Sequence, residues 1–277
     1  MFDEVPHPDT GAYASLFPGE QLALVLASVA AGNTAARLWI ASQDVDDDAV
    51  ALLWDKGNNV FYLAGPGLME EAHEQLKRLI AMEIRPQALE EGRLYFRARG
   101  LNPAMDDTLP RLFAPIMLRE LVELFFGFRQ PRPNDVRPPS VPNIGFAPID
   151  RALLEREDLA NLHELRDEIR WMWGTAERFH TQGWGYAALV PGRAICWCTA
   201  EYVSGSQCGI GIATDREYER RGVATATAVH FVEACLRRGV RPFWECAAGN
   251  LASTRVAEKV GFVRLEETRF WAGSFAG

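Results

Sequence analysis

The stretch FRQPRPNDVRPPSVPN, Phe128 to Asn143, holds five prolines. Each fixes φ and removes a backbone donor, so neither a regular helix nor an inner strand runs through it. That break sets the expected organisation: an N-terminal α/β domain over 1–130, a proline-rich linker over 131–142, and a second domain over 143–277. The 277 residues are enough for two cores. Hydrophobic residues make up 48%, a folding composition rather than a disordered one.

Hydrophobic patterning orders the first half as α-β-β-β-α-β-α, its last helix read over TLPRLFAPIMLRELVELFFGF. The second half opens on a strand at NIGFAPID and one or two helices. Three strands follow, then helix, strand, helix and a last strand. Antiparallel strands followed by β-α-β-α-β predict a mixed α/β sheet covered by helices. The shared order suggests an old duplication. In the first half the matching loop is GPGLMEEA, where Pro66 lacks a donor and Glu70 and Glu71 repel an anion.

Net charge is −8. A general nucleic-acid surface needs a positive field, so none is expected. No run of about 18 uncharged apolar residues appears, and no membrane span is expected. The N-terminus MFDEVPHPDTG lacks the basic and apolar regions of a signal peptide. Five cysteines at no repeated spacing argue against a disulfide framework. The expectation is a cytoplasmic protein with reduced thiols. Cys196 and Cys198 form a CxC pair without further ligands at zinc spacing, and no metal site is expected. HExxH, Walker-type and GxSxG motifs are missing.

The loop with chemical content is DREYERRGVATATAVHFVEACLRRG, Asp215 to Gly239. A strand ends near Thr214 and a helix begins near Gly222. The first turn of a helix exposes unpaired N–H groups with partial positive charge, a ready phosphate site. Gly222 permits close approach, Ala224 leaves room, Thr225 offers a hydroxyl, and Arg220 and Arg221 add charge. A plain helix start explains the same residues. The helix's polar stripe reads as Thr227, His230, Glu233 and Arg237. A second segment, AGNLASTRVAEKVGF, sets Asn250 as N-cap and Gly261 as the residue ending the helix, with Ala252, Val256 and Val260 as its buried stripe.

Together, ATDREYERRGVATA and NLASTRVAEKVGF strongly resemble the Gcn5-related N-acetyltransferase (GNAT) superfamily, over roughly Asn143 to Trp271. The resemblance implies a GNAT acetyltransferase fold in the second domain; the first domain is then an extra one, read as a degenerate GNAT-like repeat. It implies that backbone N–H groups of Arg220, Arg221, Gly222, Val223, Ala224 and Thr225 bind the coenzyme A pyrophosphate. Ile212 and Thr214 would pair with the pantetheine arm, and Asn250 would hydrogen-bond it from the other side. The implied donor is acetyl-CoA, as acyl-donor substrate. The implied acceptor is the amine of a small molecule, and a homodimer is compatible. Three departures stand out. Glu219 occupies the place where relatives put Gln or Arg. Ala257 occupies that of a tyrosine which often protonates the thiolate. No carboxylate lies between Cys208 and Ala213.

Acetyl transfer needs a free amine lone pair, oxyanion stabilisation and a proton for the thiolate. Ser253 either bonds the leaving sulfur or caps the helix with Asn250. Glu245, beside Trp244 and Cys246 on a strand, is a base, a partner for the substrate ammonium, or the partner of an arginine. Glu201 is a weaker alternative. Trp171, Trp173, Trp184 and Trp197 either wall an acceptor pocket or fill the core. Transfer is expected to be direct, without an acyl group on Cys246. Two other readings remain: a catalytically silent acyl-CoA-binding module, and a scaffold of two interaction domains.

Overall fold

The computed structural model describes residues 2–5, 10–41 and 49–276. The chain forms two compact units, Met1–Val122 with Arg269–Gly277, and Glu123–Thr268. The proline-rich segment 131–142 thus lies inside the second.

In the first unit, β1 (Asp3–Glu4), α1 (Thr10–Tyr13) and α2 (Glu20–Ala30) precede β2 (Ala36–Ile40), β3 (Ala51–Asp55) and β4 (Val60–Ala64). Then α3 (Glu70–Leu79) passes through a π-helical turn (Ile80–Ile84) into α4 (Arg85–Glu90). Next come β5 (Tyr95–Gly100) and α5 (Pro103–Leu112). Strands β2, β3 and β4 are antiparallel neighbours, and β5 lies parallel to β4. Alternation along β3 sends Leu52 and Trp54 into one core and Ala51 and Leu53 into another. Both sheet faces are therefore covered.

Strand β6 (Arg119–Phe128) carries residues of both units. The sequence reading expected one helix from Thr108 to Phe128. Instead α5 ends at Leu112, and a strand follows. Residues 123–128 of β6 are buried on both faces, so the apolar run has no alternation to mark it.

The second unit continues with β7 (Gly145–Pro148), α6 (Arg151–Leu154), α7 (Leu162–Trp173) and α8 (Ala176–Gln182). Then come β8 (Gly185–Val190), β9 (Arg193–Ser204), β10 (Gln207–Thr214) and α9 (Val223–Arg237). The chain closes with β11 (Arg241–Ala247), α10 (Leu251–Val260) and β12 (Phe262–Ser274). Strands β7 to β10 are antiparallel in order, and β11 is parallel to β10. Strands β2 to β5 of the first unit follow the same pattern. Within the second unit β11 pairs with β6, and within the first β5 pairs with the end of β12. No helix among the described residues is long and apolar enough to cross a membrane.

Candidate active site

In the second unit, β10 and β11 are paired through Gln207–Cys208 and Arg241–Pro242, and no paired register continues beyond. Past that point the β11-facing edge of β10 is open to another extended chain. A cleft of about 630 Å³ sits at this end of the strands. Ile212 and Thr214 of β10 line it, with Arg220 and Gly222 to Thr225 at the start of α9. Trp244 of β11 and Asn250 and Ser253 of α10 line it opposite. Arg221 and Glu245 are not among its walls.

The loop into α9 is held rigidly. The Asp215 carboxylate, only 7% exposed, pairs with Arg193 at 2.7 Å and accepts from Asn161 Nδ2 at 2.6 Å and Glu217 N at 3.1 Å. Arg220 and Gly222 both take the left-handed backbone, at φ 59° and 81°. A turn with left-handed residues can set successive N–H groups on one side of the chain. Its back rests on the proline-rich segment: Ser140 N donates to Arg221 O at 2.9 Å, and Pro139 lies against Gly222. Val141 is buried in one cluster with Val223. Read as a linker, this segment is a brace for the loop. Arg221 stacks on Tyr218, its guanidinium carbon 5.4 Å from the ring centroid.

Helix α10 supplies the opposite wall. Asn250 Oδ1 caps it by accepting from Ser253 N at 3.1 Å, leaving Nδ2 as the group able to donate to a ligand. The Ser253 hydroxyl accepts from Trp244 Nε1 at 2.9 Å. Its own proton is then available to a second acceptor. Ala257 is fully buried. The expected buried stripe was turned by about one position. Ala252 is exposed and Val256 half-buried, both on the cleft, while Ala257 and Val260 face the core. The cleft face also carries Arg255 and Lys259, which sequence reasoning missed. Their i, i+3, i+4, i+7 spacing from Ala252 was the available signal. On α9, Thr227 is buried and bonds Val223 O at 3.0 Å, and His230 packs on Phe146 and Tyr186.

The other sheet face is acidic. Strand alternation puts Gly209, Gly211 and Glu245 on the face away from α9. A Cβ on Gly211 would lie 2.9 Å from Thr199 Oγ1 and closer still to the Glu201 carboxylate. Glu201 of β9 thus fills the space above a strand that has no carboxylate of its own. Glu168 of α7, which sequence reasoning missed, accepts from Trp197 Nε1 at 2.7 Å and Thr199 Oγ1 at 3.2 Å. Trp197 and Trp173 are buried, Trp184 stacks on Phe231, and Trp171 is 39% exposed, so the four make no single wall. Cys196 and Cys198 are core residues, and burial pushes the Cys196 thiol up to about 11.

Burial also raises the Glu168 carboxyl, against the lowering effect of Trp197 and Thr199. The folded protein then holds a proton that the unfolded chain releases. The stability that this proton brings is complete below the ordinary carboxyl value of 4.5 and is lost as pH rises through the raised native value. Wild type should therefore lose stability relative to Glu168→Gln as pH rises from acidic to neutral. Urea melts of both proteins across that range check it; parallel curves would contradict it.

Residues 134–271 match the profile of the GNAT acetyltransferase family. The C-terminal half of the chain belongs to that family. The uncharacterized N-acetyltransferase YdfB of Bacillus subtilis is 29% identical over 102 residues, covering 36% of this chain and 39% of that protein. The match therefore spans well under half of that relative's length. A GCN5-related N-acetyltransferase-like protein from Streptococcus suis is similar in fold over 95% of this chain and 98% of its own, with TM-score 0.67 and 18% identity. A tandem GNAT protein from the clavulanic acid biosynthesis pathway is similar over 99% and 98%, with TM-score 0.56 and 14% identity. The GNAT fold is thus present with an extra α/β domain, and the family is one of acyltransferases.

Proposed function

We propose that the protein transfers an acetyl group from acetyl-CoA directly to the amine of a small molecule. The observation that carries this reading is the cleft where β10 and β11 part, walled by the start of α9 and by α10. The N–H groups of the first turn of α9, with Arg220, take the pyrophosphate. Arg255 and Lys259 add positive charge to that wall although the whole chain is acidic. The pantetheine arm runs along the open edge of β10 at Ile212 and Thr214, with Asn250 donating from α10.

For the chemistry, the Ser253 hydroxyl, oriented by Trp244, donates a hydrogen bond that stabilises the departing thiolate. Glu245 and Glu201 are the carboxylates that take the amine proton or hold the ammonium. The amine nitrogen attacks the thioester carbonyl carbon, a carboxylate takes the proton the nitrogen loses, and the tetrahedral intermediate collapses with cleavage of the C–S bond to a thiolate that takes its proton from water. Transfer is direct, with no acyl group carried on Cys246, a buried thiol whose Sγ lies 3.6 Å from Thr254 Oγ1.

The test is thiol release from acetyl-CoA across a library of small amines. Turnover with at least one amine is expected. Ser253→Ala should lower kcat by about tenfold to a hundredfold with little change in KM for acetyl-CoA, the mark of an interaction made in the transition state. Coenzyme binding without turnover on any amine would leave the silent module, and no binding at millimolar coenzyme A would end the reading. The buried Ala257 is the feature that favours the silent module.

A further inference from the structure

The position in the first unit that matches the α9 loop is the start of α3, and it has the opposite chemistry. His73 is 3% exposed, and neither ring nitrogen has a hydrogen-bond partner. Burying a polar ring unsatisfied is costly, and native structures rarely do so without a reason. Its Nδ1 lies 3.6 Å from Glu74 Oε1, too far for a hydrogen bond. Glu70, His73 and Glu74 each offer one ligand atom, and these atoms all lie within 4.8 Å of one another. Positions i, i+3 and i+4 share a helix face, so small rotamer shifts close the set on one ion.

We infer that Glu70, His73 and Glu74 form a binding site for a divalent transition cation of the Zn²⁺ type. Two carboxylates balance the dication's charge. The imidazole nitrogen selects Zn²⁺, Co²⁺ or Ni²⁺ over Mg²⁺ and Ca²⁺, which take oxygen sets. Both glutamates are exposed, so the ion enters from solvent and keeps water in its remaining positions. Two features oppose it and set a modest affinity. The helix N-terminus carries partial positive charge, and Arg111 lies 3.3 Å from Glu70. No spacing motif marked the site, because its ligands come from one short run on a single helix and only burial distinguishes His73.

Calorimetry of the full-length, chelator-treated protein with Zn²⁺ is the experiment, with Co²⁺ absorption as a second readout. One saturable equivalent at micromolar Kd is expected. His73→Gln should abolish it. Glu74→Gln, an exposed change that leaves the fold intact, should weaken it about tenfold, and Arg111→Gln should tighten it severalfold. The Co²⁺ spectrum should lack thiolate charge-transfer bands. No saturable binding by wild type below millimolar Zn²⁺, unchanged binding by His73→Gln or Glu74→Gln, or thiolate bands with Co²⁺ would each overturn the site.

Discussion

Ala224→Asp should weaken coenzyme A binding at least about a hundredfold, close to 2.7 kcal/mol, while leaving the folded state as stable as before or slightly more so. The new carboxylate would sit in the first turn of α9, on the cleft wall, where the pyrophosphate is proposed to bind. Two like charges about 4 Å apart near a protein surface repel by about 4 kcal/mol before salt screening. In the coenzyme-free protein the same carboxylate meets the positive end of the helix, worth about 0.3–1 kcal/mol in favour. Gly222 is the poorer position for this test. Its φ of 81° strains any side chain, so a loss there would mix backbone damage with charge. Ala224→Asn has the shape of Asp without the charge and should retain most of the affinity. Calorimetry with coenzyme A and thermal melts measure both quantities. Binding by Ala224→Asp within threefold of wild type would remove the pyrophosphate from this loop.

Gly261→Ala should destabilise the second unit by about 3 kcal/mol or more. Its φ of 116° is left-handed, which alone costs an alanine about 1–2 kcal/mol. The remainder comes from outside the helix. A Cβ there would clash with the Gln130 carbonyl oxygen, and Arg129 N donates to Gly261 O at 3.1 Å. Backbone must move to admit the methyl group, and overpacking of this kind costs about 1–3 kcal/mol. Gly239→Ala is the matched control, with φ of 68° and open space around its Cβ position. Urea denaturation of the two variants isolates the clash. A difference under about 0.5 kcal/mol between them would show that the helix ending alone explains Gly261, since 0.5 is the ordinary scatter of surface changes.

Local rules carried the reading furthest where the chemistry is local. The small residues and glycine ahead of α9, and Asn250 at the head of α10, are legible because capping and helix-terminus electrostatics act within one turn. The same is true of the β-β-β-α-β order that both units share. It fails where a run is buried on both faces: Thr108 to Phe128 has no period to separate helix from strand, and it became α5 and β6.

The sequence by itself determined most of the elements and the capped starts of α9 and α10, since each depends on residues a few positions apart. Only the tertiary structure decided that β11 pairs with β6 and β5 with the end of β12, and that Pro139 and Ser140 brace the loop at Gly222. It also decided that Glu201 of β9 fills the space over Gly211, and that Glu168 and His73 are carried into partly or wholly desolvated places. The physical reason is common to all of these. Pairing, clashes and desolvation depend on separations in space between segments far apart in the chain, and a single sequence holds no local trace of them.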